Sequence, residues 1–481
     1  MFKSNFIHFH KPTNGRLISS SLAEGAHRPT DHYDSTIDRR PLSWFSRPGW
    51  GALLCAAYPL LAIAPLVVLH FIQSDVDRST AAQLGANCAL VGFTMLSMQF
   101  VLTARLPWIE APFGLDLVLR FHRAMALAIV ALLCAHAELI ASAEGWILLT
   151  RLQARWYIWA GRIALVLLLA QVTAALLRKV MRLSYERWRR THNTIALAVL
   201  ALGFAHAVRT GADLKNTAGS ALWAIVATLG FATWVYSRGI RRHLLARRTF
   251  RVQSVNLEAP RVWTVTLETR AGHPFRFSPG QFQFLRLIDS RVPGEEHPFS
   301  IASSPTRANR ISLTIKACGN FTTLVDRIRV GDLATVHGPF GRFSCDLHPN
   351  EGHLVFVAGG VGITPLMSML RAMHDRGEKR QVTLIYASHA LDDVLFIPEL
   401  VAMEASQRPA LKVIYVLAQP PSWWSGETGR VDAHRLDAWC GGLEDKAFYL
   451  CCPPRMTVDL VRGLRHRRVS QRRIHCDYFS L

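Results

Sequence analysis

Four histidines, His122, His136, His192 and His206, carry the first chemical signal in this sequence. The intervals 122 to 136 and 192 to 206 are each 14 residues. On an α-helix, 14 residues turn through roughly 1400°, about 40° short of whole turns, and climb roughly 21 Å. Each interval therefore places two imidazoles on one helix face at two depths. The stretches holding them are apolar, and an ionisable side chain in such a setting is costly enough to mark a functional site. If the two helices run parallel, His122 lies level with His192 and His136 level with His206. A level pair of neutral imidazoles offers two axial nitrogens to one iron. Two such pairs make two stacked bis-histidine haem sites, and six-coordinate iron favours electron transfer over small-ligand binding. One zinc ion shared by all four is disfavoured, because the pairs are too far apart. His70 has no such partner and reads as interfacial.

The elements that must position these residues are membrane spans. Of 481 residues, 50% are hydrophobic, yet Lys+Arg outnumber Asp+Glu by 55 to 34 and the net charge is +21. Only 19% of residues are charged, which argues against a disordered polybasic chain, so apolar and basic residues must be segregated. The apolar excess sits in residues 50–240. Six stretches, near 50–71, 79–103, 118–141, 156–177, 191–209 and 218–237, are long enough to cross about 30 Å of hydrocarbon, which needs about 20 apolar residues as helix. One span separates the third from the fifth, so those two run in the same direction and satisfy the histidine pairing.

Charge orients the bundle. RKVMRLSYERWRR at 178–190 and Arg238, Arg241, Arg242, Arg247, Arg248 and Arg251 flank one face. The other face holds Arg78, Arg151, Arg155, Arg209 and Lys215. Basic loops stay cytoplasmic, which predicts both termini inside and a bacterial inner-membrane location. The arginine runs read as topology and headgroup signals, not as a nucleic-acid surface. Residues 1–49 read as a mobile cytosolic tail, and no cleavable signal peptide is expected. Nine cysteines without a CxxC pair exclude a disulfide scaffold. Arg162 inside span four, Arg209 one turn beyond His206, and Arg123 beside His122 need anions, which haem propionates could supply.

Beyond residue 251 the texture changes to short alternating β-forming runs (VWTVTLETR, QFQFLRLI, RISLTIKA), expected to form an antiparallel β-barrel. From 353 it changes again, to strand, glycine loop and helix (HLVFVAGG, VGITPLMSMLRAM) with later strands QVTLIYAS, LKVIYVLA and AFYLCC, an α/β pattern. The chain thus reads as multidomain: tail 1–49, an all-α six-helix transmembrane bundle 50–240, a β-barrel 246–348 and an α/β nucleotide-binding domain 352–481. Gly359, Gly360 and Gly362 follow an apolar strand and would let backbone approach a pyrophosphate at a helix start.

The ordered set HPFSIASSP, GNFTTL, GGVGITP, YLCCPPRM and IHCDYF resembles the ferredoxin-NADP reductase superfamily. Joined to a six-span bis-histidine bundle, residues 50–481 resemble the NADPH oxidase / ferric reductase family. That resemblance implies two haem b, FAD and NADPH, with NADH also possible. It implies that His297, Pro298, Phe299 and Ser300 hold the flavin, with Ser300 near its N5. Gly319, Asn320, Phe321 and Thr322 would cradle the FAD pyrophosphate. Gly359, Gly360, Gly362 and Thr364 would bind the nicotinamide nucleotide diphosphate, with Cys451 beside the nicotinamide. Phe479 would cover the flavin and move to admit nicotinamide. Cys452 stands where the family commonly has glycine, and His389 where an arginine often holds a 2′-phosphate, and a neutral imidazole would discriminate poorly between NADPH and NADH. With no EF-hand loop, direct calcium control is not indicated.

The expected activity is electron transfer from cytosolic NAD(P)H through FAD, the inner pair His122/His192 and the outer pair His136/His206 to an acceptor across the lipid bilayer. O2 giving superoxide is the first acceptor, near Arg209 or Arg162, because the far-side loops hold no carboxylate cluster for iron. A ferric chelate is the second, and a quinone or periplasmic protein the third. A haem sensor or proton pathway is the non-enzyme alternative. No obligate protein partner is evident.

Overall fold

A computed structural model describes residues 48–72, 79–178, 180–211, 217–246, 249–270, 274–288, 291–307 and 309–477. The tail read over 1–49 lies almost wholly outside the described residues. Among these, six helices are long and apolar enough to cross a membrane. They are α1 (Pro48–Ile72), α2 (Thr80–Thr103), α4 (Leu115–Glu144), α5 (Trp156–Leu177), α6 (Tyr185–Thr210) and α7 (Thr217–Val235), with a short α3 (Pro107–Phe113) between the second and third. The protein is an integral membrane protein.

The sequence places the ends of these helices through recognisable signals. Ser79 caps α2, its hydroxyl accepting from Ala82 N–H at 3.2 Å. Pro107 opens α3, where its missing N–H costs nothing. The third span is longer than the periodicity predicts, 115–144 against 118–141, because α4 continues through Asp116 and Arg120 beyond the apolar stretch. The last helix also runs on, through a π turn (Tyr236–Ile240) into α8 (Arg241–Ala246). α2 is the most buried of the six spans and forms the bundle's centre. Leu90, Phe93 and Leu96 pack there with Ile129, Leu168, Leu200 and Trp223, and the Phe93 and Trp223 rings stack at 4.6 Å.

The first soluble sheet is antiparallel, with strands β1 (Thr249–Ala259), β2 (Val262–Thr269), β3 (Phe282–Ile288), β4 (His297–Ser300), β5 (Arg310–Lys316) and β6 (Leu333–Phe340) in the order β4-β3-β6-β1-β2-β5. Its two edges approach each other just past β4. Ile301 bridges Leu313, and Ala302 N–H donates to Ser312 O at 2.7 Å, so the sheet curls towards closure as the barrel reading expects.

The second sheet is parallel throughout, β10-β9-β8-β7-β11-β12. Its strands are β7 (His353–Gly359), β8 (Gln381–Ser388), β9 (Ala410–Leu417), β10 (Glu427–Thr428), β11 (Ala447–Cys451) and β12 (Ile474–Cys476). Helices α9 (Ile363–Asp375), α10 (Ile397–Ser406), α11 (Ala433–Cys440) and α12 (Pro454–His466) alternate with them. Leu354, Val355, Phe356 and Val357 are all fully buried, as expected of a strand covered on both faces.

Candidate functional site

The four spaced histidines meet in the two predicted pairs. The rings of His122 on α4 and His192 on α6 are centred 6.3 Å apart, and those of His136 and His206 also 6.3 Å. A metal–imidazole bond of about 2 Å on each side, plus about 1 Å from ring nitrogen to ring centre, gives about 6 Å between two axial rings. Each pair therefore fits axial ligation of one iron, and the equal helical spacing keeps both pairs in register.

The outer pair is oriented by backbone. His136 Nδ1 lies 2.9 Å from Gly85 O, and His206 Nδ1 2.9 Å from Tyr157 O. An Nδ1–H donated to a carbonyl leaves Nε2 as the lone-pair nitrogen, the tautomer a metal ligand needs. His206 reaches that carbonyl because position 161 is glycine: a Cβ there would stand 2.7 Å from His206 Nδ1. At the inner pair the Trp188 ring lies 5.1 Å from that of His192.

The arginines expected near the acceptor sit at the His136/His206 end of the bundle, each with partners. Arg162 donates through Nη1 to Arg151 O at 2.8 Å and through Nη2 to Leu148 O, and its guanidinium lies over the Trp159 ring. Arg209 is exposed, 5.7 Å from the Trp156 ring centre. Arg123 is exposed next to His122.

In the antiparallel sheet the two expected flavin segments come together. The His297 ring stacks on Phe321 at 4.0 Å, and Phe299 lies 6.1 Å from the same ring. Pro298 pairs with Phe284, and buried Ser300 with Phe282, on β3. The Thr322 hydroxyl accepts from Gly319 N–H at 2.8 Å and Cys318 N–H at 2.9 Å, folding the loop through Asn320 into a tight turn.

The α/β sheet brings its predicted residues together as well. Gly359 ends β7, and Gly360 to Gly362 form one tight turn before α9. A Cβ on Gly362 would collide with Cys451 O, and one on Gly359 would lie 2.5 Å from Pro453 Cδ. Close approach of the Cys451–Cys452–Pro453 turn thus requires these glycines, whatever a nucleotide also asks of them. Thr364 is buried and its hydroxyl donates to Val361 O at 2.7 Å. Cys451 is fully buried, and burial pushes its thiol well above the ordinary range. Cys452 is raised to about 12 by burial, and its Sγ contacts Val357 O at 3.3 Å. Both remain thiols at neutral pH. His389 is exposed at the end of β8. Phe479 lies outside the described residues.

Residues that the sequence reading did not single out join the modules. Leu115, two turns before His122, packs against Phe284 and Phe340 of the antiparallel sheet. Glu110 on α3 accepts from Gly341 N–H at 2.8 Å, and Arg342 donates to Ala111 O at 2.7 Å. Arg105 Nη1 meets Glu296 Oε2 at 3.0 Å, and Arg189 Nη2 lies 3.6 Å from the same oxygen. Burial alone would raise Glu296, but Arg105, Arg241 and Arg189 overcome it and hold the carboxyl at about 2. Burial pushes Glu110 up to about 7, against the pull of Gly341 N–H and Arg342. Glu296 stands directly before HPFS in the sequence, but nothing in the local pattern marks it as a docking residue. On the far side of the flavin segment, Ser368 and Arg371 of α9 donate to Ser303 O at 2.7 Å and Ala302 O at 2.8 Å.

Three domain families match the chain: ferric reductase like transmembrane component over residues 88–203, FAD-binding domain over 247–337 and oxidoreductase NAD-binding domain over 356–462. Sulfhydrogenase 1 subunit gamma of Pyrococcus furiosus is 36% identical over 193 residues, 39% of this chain and 63% of that protein. Sulfhydrogenase 2 subunit gamma of the same organism is 30% identical over 221 residues, 44% of this chain and 74% of that protein. The chain thus spans less than two thirds of the first relative. Among solved structures, an Amycolatopsis cytochrome P450 reductase shares 24% identity over 48% of this chain and 69% of that one, at a TM-score of 0.43.

Proposed function

Because the chain belongs to the NADPH oxidase / ferric reductase type, a ferric reductase-like transmembrane domain fused to FAD- and NAD-binding domains, we propose that it carries electrons from cytosolic NAD(P)H across the membrane to O2, giving superoxide. The observation that carries this reading is the two histidine pairs at one common 6.3 Å spacing, stacked along α4 and α6. When bound, FAD would turn a two-electron hydride into single-electron steps, and haem held by the two histidine pairs would supply one-electron chemistry.

The protein's own residues supply position. His122 and His192 would hold the inner iron, close to the end of α4 on which the antiparallel sheet rests, and His136 and His206 would hold the outer one. His297, Pro298, Phe299 and Ser300 would hold the flavin ring, while Gly319, Asn320, Phe321 and Thr322 would cradle the FAD diphosphate. Gly359, Gly360, Gly362 and Thr364 would receive the nicotinamide nucleotide, with roles at its ring assigned by family resemblance to Cys451 and Phe479, and His389 would face the adenosine end. Arg209 and Arg162 give the outer end positive charge, which favours superoxide as it forms. Basic loops place both termini in the cytoplasm, and an inner bacterial membrane is the expected site.

The test is an anaerobic titration of purified protein with NADPH and with NADH, followed in the flavin and Soret bands, then admission of O2 or ferric citrate. Reduction of flavin and then haem, with superoxide formed only after O2 enters and ferric citrate left unreduced, is the expected outcome. Ferric citrate reduction without superoxide overturns the oxidase reading in favour of a ferric reductase. Haem that stays oxidised with NADPH overturns electron transfer altogether.

A further inference from the structure

Near the edge of the parallel sheet, away from the histidine pairs of the bundle, three ligand-type side chains converge from the two ends of the nucleotide-binding region. His348 and Glu351 lie in the connection between the two soluble sheets, one before the other on a tight turn closed by Glu351 N–H and His348 O at 3.2 Å. His475 sits on β12, opposite Tyr449. The ligand atoms of the three all lie within 4.8 Å of one another. His475 Nε2 is 2.9 Å from Glu351 Oε1, and the His348 and His475 rings are 4.2 Å apart with a 31° tilt. Ordinary surface ion pairs do not bring a second imidazole into such range of the same carboxylate.

We propose that His348, Glu351 and His475 form a binding site for a divalent transition ion of the Zn2+ class, with Tyr449 as the outer partner that aims the carboxylate. Two imidazole nitrogens, one carboxylate oxygen and one open position for water match the two-histidine, one-glutamate pattern of zinc sites. The nitrogen-rich set disfavours Mg2+ and Ca2+, which prefer oxygen. The Tyr449 O–H donates to Glu351 Oε2 at 2.6 Å, which leaves Oε1 as the oxygen directed at the ion. His475 then takes its Nδ1-protonated tautomer, so that Nε2 presents a lone pair where it now meets Oε1. The side chains of Glu351 and His475 are 16% and 15% exposed, shielded from competition by bulk water yet reachable.

The site has a mechanical consequence. Among the described residues, β12 pairs with β11 at Phe448–Ile474, Tyr449–His475 and Leu450–Cys476, and Asp477 N–H donates to Leu450 O at 3.0 Å. An ion bound here would staple this short strand to the connection ahead of β7.

Untagged full-length protein in detergent, stripped with EDTA, is dialysed against limiting Zn2+ and its tightly held metal counted. One equivalent is expected, lost in His348→Ala and in His475→Gln, and bound about ten-fold more weakly in Tyr449→Phe. Zn2+ should also slow amide exchange at Ile474–Cys476 in the parent and not in His348→Ala. FAD content reports folding, and should His475→Gln lose FAD, His348→Ala, in a connecting loop, carries the test. Equal tightly held zinc in the parent and His348→Ala, or no change in exchange at β12, overturns the site.

Discussion

At the residue scale, the outer histidine pair depends on a side chain that is absent. His206 lies against α5 because Gly161 leaves its ring nitrogen free to approach Tyr157 O at 2.9 Å. Gly161→Ala is expected to displace the ring and yield protein with one haem instead of two by pyridine haemochrome assay, the inner site remaining. Gly239→Ala, where an added Cβ meets nothing within 4 Å, should keep both. Two haems with unchanged spectra in Gly161→Ala would refute the dependence. The histidines were legible because helical periodicity acts along one chain segment. Gly161 was not, since its importance comes from a neighbouring helix that no local pattern names.

At the scale of elements, what matters is how the antiparallel sheet is held on the bundle. Strand β3 pairs with the flavin segment β4 through Phe282–Ser300 and also presents Phe282 and Phe284 to Leu115, at the start of the helix that carries His122. Glu296 anchors this junction through Arg105 and Arg189. Removing one member of a buried charge cluster leaves its partners uncompensated, at a cost of about 3–5 kcal/mol. Glu296→Gln should therefore leave flavin reduction by NAD(P)H intact while slowing haem reduction at least ten-fold in stopped flow. Because the Glu296 carboxyl is depressed to about 2 from its ordinary 4.5, its contribution is present above 4.5 and is lost as pH falls through 4.5 towards 2. An unaltered haem reduction rate in Glu296→Gln would count against this coupling. The elements themselves were readable from apolar length and alternation; six spans and two sheets appear in the predicted order, with the third and sixth spans running on beyond the apolar pattern. The junction was not, because Arg105, Arg189 and Glu296 lie far apart along the chain and pair only after the modules dock.

At the scale of the whole molecule, two stacked histidine pairs in one bundle would make the proposed reaction vectorial. The double substitution His136→Ala/His206→Ala should retain one haem, still reduced from NADPH, while acceptor reduction on the far side falls to near background in oriented vesicles. Loss of both haems from folded, flavin-loaded protein would show that the sites are not independent and that the pairing is wrong. Reduction of the inner haem with full far-side activity would remove the outer pair from the path.

The broad plan is written in contiguous residues: six apolar spans, two equally spaced histidine pairs on parallel helices, and an antiparallel sheet followed by a parallel one. Hydropathy, helical period and strand alternation are local properties, so they are legible in order along the chain. Packing between distant segments sets the pairs 6.3 Å apart, makes Gly161 and Gly362 necessary to His206 and Cys451, and lets Glu110 and Glu296 fasten the reductase to the bundle. It alone also brought His348 and Glu351 to His475. These are contacts between distant segments, and they exist only once packing has excluded water and set backbones within a few ångströms of one another.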